Sequence, residues 1–199
     1  MSQERTRKIV ITAIMGAISA FLGITRWGYL PSIGPVSVTI MHIPVIIGAI
    51  LEGPLVGAAI GLIFGLTSML QAAVAPINLF DPLFINPLLA VLPRLFIGPV
   101  AWLVWRALKR WPVVGLITAA IAGSLTNTIL VLGMLGVLIL WAHIPIATPE
   151  MLKLVSWPWL ATAGAINGLP EAIVAAVLVL AVVSAWKQIR IGRKQGSSL

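Results

Sequence analysis

Ile166-Asn-Gly-Leu-Pro-Glu-Ala-Ile-Val-Ala-Ala-Val177 decides how this chain is read. Glu171 lies in an otherwise apolar run long enough to cross a lipid bilayer, one helical turn after Asn167. A charged side chain at the centre of a spanning helix costs about 2.5–3.5 kcal/mol and normally faces a cavity, a partner or a substrate. Arg94 is the other charge placed inside an apolar run rather than at its end.

Working outward, the whole chain has the same solvent preference. Of its 199 residues, 60% are hydrophobic and only 9% charged, and the mean hydropathy is +1.09. A soluble domain carries about a quarter charged residues, so the composition is that of an integral membrane protein. The first eight residues are polar and basic, and the apolar run after them lacks a small-residue cleavage site, so the first helix is expected to stay as an anchor. Absence of cysteine excludes disulfides and thiolate chemistry. The net charge of +8 is spread beside the apolar segments, a mark of membrane topology rather than of nucleic-acid binding.

Six apolar segments are predicted, at Lys8–Thr25, Val38–Leu51, Pro54–Ala73, Pro87–Leu108, Pro112–Trp141 and Pro158–Trp186. They form one all-α membrane domain over residues 1–199, with a short tail at 1–7 and a basic tail at 187–199. An even number of spans puts Arg5, Arg7, Lys8, Arg106, Lys109, Arg110, Lys187, Arg190, Arg193 and Lys194 on one side. Only Arg26, Arg94 and Lys153 remain elsewhere. By the positive-inside rule both termini are cytoplasmic. Connections on that side are tight, whereas Arg26–Ser37, Val74–Asn86 and Ala142–Trp157 are long and suited to covering an outward-opening cavity.

At about 1.5 Å per residue, Asn127 lies roughly 22 Å from the cytoplasmic start of its helix. Counted from the outside, Arg94 is about 10 Å deep, Asn167 about 14 Å and Glu171 about 20 Å. Four polar side chains from three helices thus share the outer-to-middle layer, with Ser124 and Thr128 on the Asn127 face. This is the composition of a small-ligand site; the competing use is hydrogen bonding that locks helices together. Trp27, in the first outer loop, is an aromatic candidate for covering a ligand. Gly53, Gly57, Gly61 and Gly65 recur every four residues and are expected to pack helices closely inside the chain. Ala13, Gly16, Ala17 and Ala20 make a second small-residue face, available to this packing or to another subunit.

Several chemistries are excluded by motif. The chain has no Gly-rich phosphate loop for ATP. His42 and His143 are solitary and predict no metal site. Ser124 lacks the context of a nucleophile, and no cofactor motif is present.

Six stretches resemble one family over nearly the whole length. They are Thr12-Ala-Ile-Met-Gly-Ala17, Ile43-Pro-Val-Ile-Ile-Gly-Ala-Ile-Leu-Glu-Gly-Pro54, Gly57–Ser68, Pro93-Arg-Leu-Phe-Ile-Gly98, Leu125-Thr-Asn-Thr128 and Asn167-Gly-Leu-Pro-Glu-Ala172. The chain resembles the substrate-binding S components of energy-coupling factor (ECF) vitamin importers, most of all the pantothenate-type branch. The resemblance implies a subunit of the prokaryotic cytoplasmic membrane that captures a vitamin from outside, while a transmembrane coupling subunit and two ATPases supply energy. The family's Ala-x-x-x-Ala contact with the coupling subunit falls on Ala13 and Ala17.

The expected function is therefore vitamin binding without catalysis, under the three long loops. For pantothenate, Arg94 is the leading partner of the carboxylate and Arg26 the second. Asn127, Asn167 and Glu171 are left for the amide and hydroxyls. Glu171 repels an anion unless it accepts from hydroxyls, is protonated or pairs with Arg94, and a neutral or cationic ligand suits it better. The rivals are a proton-coupled carrier using Glu171 and, further off, an intramembrane enzyme using Glu171 and Arg94.

Overall fold

A computed structural model describes residues 3–30, 38–141 and 148–187. Arg190, Arg193, Lys194, His143 and parts of the first and last outer loops lie outside the described residues. Helix α1 spans Gln3–Ile24, so the expected N-terminal tail is largely helical. A small antiparallel hairpin follows, β1 (Tyr29–Leu30) with β2 (Val38–Thr39), then α2 (Ile43–Glu52) and α3 (Pro54–Val74). A 3₁₀ turn at Asp81–Ile85 leads to α4 (Pro87–Ala90), α5 (Leu92–Ala107) and α6 (Pro112–Gly136), which ends in a π turn to Trp141. Short α7 (Pro149–Leu154) and long α8 (Trp157–Lys187) complete the chain.

Six spans are expected; five helical stretches are long and apolar enough to cross a membrane, counting Pro87–Ala107 as one. The exception is α2. Its ten residues reach about 15 Å, half the hydrocarbon thickness. The predicted helix from Val38 is extended at Val38 and Thr39 and turns helical only at Ile43, with Pro44 in its first turn. Every residue from Ile43 to Ile50 is buried, as befits a helix apolar on all sides. The bundle closes around it: Ile46, Ile60, Ile97, Leu116 and Val179 meet in one core.

The basic residues gather the helix ends. Arg7 Nε lies 2.8 Å from Glu52 Oε1, and Lys187 Nζ donates to the Ile50 carbonyl at 3.2 Å and sits over the Trp105 ring. The start of α1 and the ends of α2, α5 and α8 therefore share one end of the molecule. Taking α4 and α5 as one stretch, α1, α2, α3, α5, α6 and α8 alternate in direction, as the charge pattern requires.

The glycine row on α3 decides where α5 sits. A Cβ on Gly57 would lie 2.8 Å from Gly98 Cα, one on Gly65 2.8 Å from the Ala90 carbonyl oxygen, and one on Gly61 would overlap the Arg94 carbonyl. Gly53 has a separate task, turning the chain between α2 and α3 at φ 104°. Opposite, α8 turns Ile166, Leu169, Ile173 and Val177 outward and buries Asn167, Gly168, Glu171 and Ala172. Pro170 lies within α8 and does not end it.

Candidate functional site

A cavity occupies the half of the bundle remote from the basic end. Arg94, Asn127, Thr128, Asn167 and Glu171 all line it, so five of the eight predicted ligand residues converge from α5, α6 and α8. Its apolar surface comes from Phe64, Phe80, Phe84, Val131, Leu132 and Leu135.

Arg94 is held by its surroundings rather than by an acid. Its Nη1 donates to the Leu89 carbonyl at 2.5 Å, and the guanidinium lies between Phe84 at 5.0 Å and Phe64 at 5.3 Å. Such stacking suits the planar, weakly hydrated guanidinium. Among the described residues no carboxylate comes within ion-pair distance of it, and Nε is buried without a partner. A fixed, unneutralised cation in an apolar cavity is a receptor for an anionic group.

Glu171 meets different neighbours. Oε1 accepts from the Thr39 backbone N–H at 2.5 Å and Oε2 from Thr128 Oγ1 at 3.3 Å. Neither oxygen pairs with Arg94, one of the alternatives the sequence left open; neutral donors from β2 and α6 meet the carboxylate instead. Asn127 and Asn167 are buried, and their Oδ1 atoms have no hydrogen-bond partner. Both oxygens are shielded within the wall and call for a donor there.

The remaining predicted positions lie apart. Ser124 is fully buried, its hydroxyl without a partner, outside the cavity lining. Arg26 Nη2 reaches the Ala75 carbonyl at 3.4 Å. Trp27 is 75% exposed and meets Phe21 edge-on, so neither covers the cavity. On α1, Gly16 is used internally, with Ile63 Cδ1 2.5 Å from where its Cβ would be; Ala13 and Ala17 face outward and Ala20 is half-buried. The single stripe read from sequence is thus divided between two faces.

Sequence reasoning missed Tyr29, Thr39, Gln71, Asp81 and the two rings on Arg94. Tyr29 donates its hydroxyl to Gln71 Oε1 at 3.0 Å, and Gln71 Nε2 donates to the Gly23 carbonyl at 2.8 Å. Burial, then the nearby Asp81 carboxylate, pushes the Tyr29 phenol up to about 12, so it stays protonated at neutral pH. One signal was present: Val36-Ser-Val-Thr-Ile40 alternates apolar and polar residues, the period of a strand. No pattern distinguishes Phe64 and Phe84 from lipid-facing rings.

Residues 7–183 match the family described as "ECF transporter, substrate-specific component". The "Pantothenic acid transporter PanT" of Lactococcus lactis subsp. cremoris is 32% identical over 216 residues, covering 96% of this chain and 98% of that protein. The "Pantothenate transporter PanT" of Leuconostoc mesenteroides is 35% identical over 116 residues, 56% of this chain and 55% of that one. The solved structure of ThiT from Listeria monocytogenes superposes with a TM-score of 0.62 at 18% identity, covering 94% and 98% of the two chains. At that identity the likeness is one of fold.

Proposed function

The chain belongs to the substrate-specific components of ECF transporters, and from that membership we propose that it captures pantothenate at the outer face of a prokaryotic cytoplasmic membrane. Uptake is driven by ATP hydrolysis in partner subunits, the chain itself being a binding subunit rather than an enzyme. The observation that carries the ligand is Arg94, a guanidinium with no ion-pair partner among the described residues, in a cavity whose other wall carries the polar side chains of Asn127, Thr128 and Asn167. Pantothenate has a matching polarity: a carboxylate at one end, and an amide N–H and two hydroxyls toward the other. The names of the two relatives support the same choice.

Arg94 binds the carboxylate, while Asn127, Asn167 and Thr128 meet the amide and hydroxyls. Glu171, with both oxygens already occupied by Thr39 and Thr128, is no longer the strongest argument against an anion. It fixes β2 against α6 and α8 at the cavity wall. Ala13 and Ala17, exposed on α1, supply the face for the coupling subunit. Ser124, Arg26 and Trp27 have no direct part.

Native mass spectrometry of the detergent-purified chain, followed by calorimetric titration, tests the reading. Pantothenate is expected to co-purify and to bind one per chain. The alcohol analogue, with CH₂OH in place of the carboxylate, is expected to bind at least about tenfold more weakly. Equal affinity for the two, or a different co-purified molecule, sinks the assignment. Uptake into vesicles without partner subunits, abolished by an uncoupler, would establish the proton-coupled carrier instead.

A further inference from the structure

Beneath the cavity lies a polar group that the binding reading leaves unused. His42 is fully buried at the head of α2, and neither ring nitrogen has a hydrogen-bond partner. Ser124 Oγ on α6 is also buried and unpartnered, as is Asn127 Oδ1 three residues further on. Each buried polar atom left unsatisfied costs about 1–3 kcal/mol, so a shared partner for all three is strongly favoured.

Their placement follows from a contact one turn away. Helices α2 and α6 run in opposite directions and touch where a Cβ on Gly123 would lie 2.8 Å from Ile46 Cδ1. His42 precedes Ile46 by one turn and Asn127 follows Gly123 by one turn. In antiparallel helices both steps lead the same way, away from the basic end. The two helices therefore bring His42 and Asn127 to one level, with Ser124 on the same side of α6. No direct hydrogen bond joins them. A buried water typically makes about three hydrogen bonds. One nitrogen of the neutral imidazole, the Ser124 hydroxyl and the Asn127 carbonyl oxygen make a set of three that one water can bridge; the ring nitrogens point apart, so the water takes one of them.

We infer that His42 is a positioning residue for ligand capture: through one buried water shared with Ser124 it anchors Asn127 Oδ1, so that the Asn127 amide N–H groups point into the cavity. Asn127 is then a fixed donor to a carbonyl or carboxylate of the ligand. The inference takes only the identity of the ligand from the pantothenate reading; the link between His42 and Asn127 stands on packing.

The chain has two histidines, so a His143→Gln background leaves His42 as the sole imidazole. Nitrogen NMR of the ¹⁵N-histidine-labelled full chain in nanodiscs then reports its tautomer and hydrogen bonding. One tautomer is expected, with ring signals that move on Asn127→Ala and again when pantothenate is added. His42→Leu is expected to weaken pantothenate binding about tenfold, with His42→Gln restoring most of it. In an Asn127→Ala background the same His42→Leu change adds less than about twofold. Ring signals indifferent to Asn127→Ala, or fully additive losses, overturn the link. If the wild-type chain ignores pantothenate, the ligand assignment falls, while the ligand-free spectra of the parent and Asn127→Ala still decide the role of His42. If His42→Leu does not fold, the same spectra and the Gln variant decide it.

Discussion

The two walls of the cavity are built on different principles. Between α3 and α5 the helices meet backbone to backbone, and the Arg94 carbonyl rests in the notch left by Gly61. Between α6 and α8 the small residues face side chains instead: a Cβ on Gly168 would lie 3.2 Å from Thr128 Cγ2, and one on Gly164 3.1 Å from Leu132 Cδ1. The first wall holds the cation, the second Asn127, Thr128, Asn167 and Glu171. A backbone contact cannot yield without moving a helix, whereas a side chain can change rotamer. On the proposed pantothenate reading, the ligand's charged end would meet rigid backbone geometry and its hydroxyl end the side-chain contacts of α6 and α8.

Adding one methyl group to each wall is the most severe way to break this contrast. Gly61→Ala sets its Cβ against a carbonyl oxygen. It is expected to cost about 3 kcal/mol or more and to abolish folded expression or ligand binding. Gly168→Ala meets only the Thr128 side chain, which can shift, and should cost less than about 1 kcal/mol. Thermal unfolding in detergent with size-exclusion profiles measures both, and similar losses would remove the distinction between the walls.

Next in size is the loss of the cation. Arg94→Gln keeps the helix contact but removes the charge, and is expected to weaken pantothenate binding about a hundredfold. It should leave the alcohol analogue within about threefold of its wild-type affinity. Arg94→Lys should fall between, because an ammonium lacks the planar fork and the stacking between Phe64 and Phe84. Equal losses for both ligands would show that Arg94 holds the wall together rather than reads the carboxylate.

These predictions also mark how far the sequence could be read. Arg94, Asn127, Thr128, Asn167 and Glu171 were legible because a polar group in an apolar helix is costly and its depth follows from counting residues. The four-residue spacing of glycines on α3 announced close packing, but not that the contact would be with the Arg94 carbonyl. The hairpin was marked only by the short alternation at Val36–Ile40, which runs straight into the mainly apolar stretch to Leu51, and hydropathy does not separate a buried strand from a buried helix. For the same reason α2 passed for a span. Its short length is supported by neighbours on every side, a property of packing rather than of local sequence. The partners of Glu171 were out of reach too, since Thr39 lies 132 residues away along the chain.

A smaller effect tests the adaptable wall. Glu171→Gln retains an oxygen for the Thr39 N–H and an amide that can donate to Thr128 in exchange, so binding should stay within about threefold. Glu171→Ala leaves both donors unmade and should weaken binding about tenfold, chiefly through faster release. Stopped-flow dissociation after dilution separates the two variants. If Gln is as damaging as Ala, the carboxylate charge itself matters, and the neutral-partner account of Glu171 fails.

The least effect is expected at the positions where sequence and geometry part. Arg26 carries a full charge near the outer end of α1 and was the second choice for the carboxylate, while Trp27 was the candidate cover. Arg26 instead reaches the Ala75 carbonyl, and Trp27 stacks edge-on with Phe21 outside the cavity lining. Arg26→Ala and Trp27→Ala should each change pantothenate affinity by less than about twofold, an exposed contact of this kind being worth under about 0.5 kcal/mol. Screening gives the sharper check. Raising salt weakens the pull of an exposed guanidinium on an anion and leaves a buried one nearly untouched, so wild-type affinity should barely move with ionic strength. A steep salt dependence that vanishes in Arg26→Ala would return the outer arginine to the site and make the buried wall a second point of capture rather than the first.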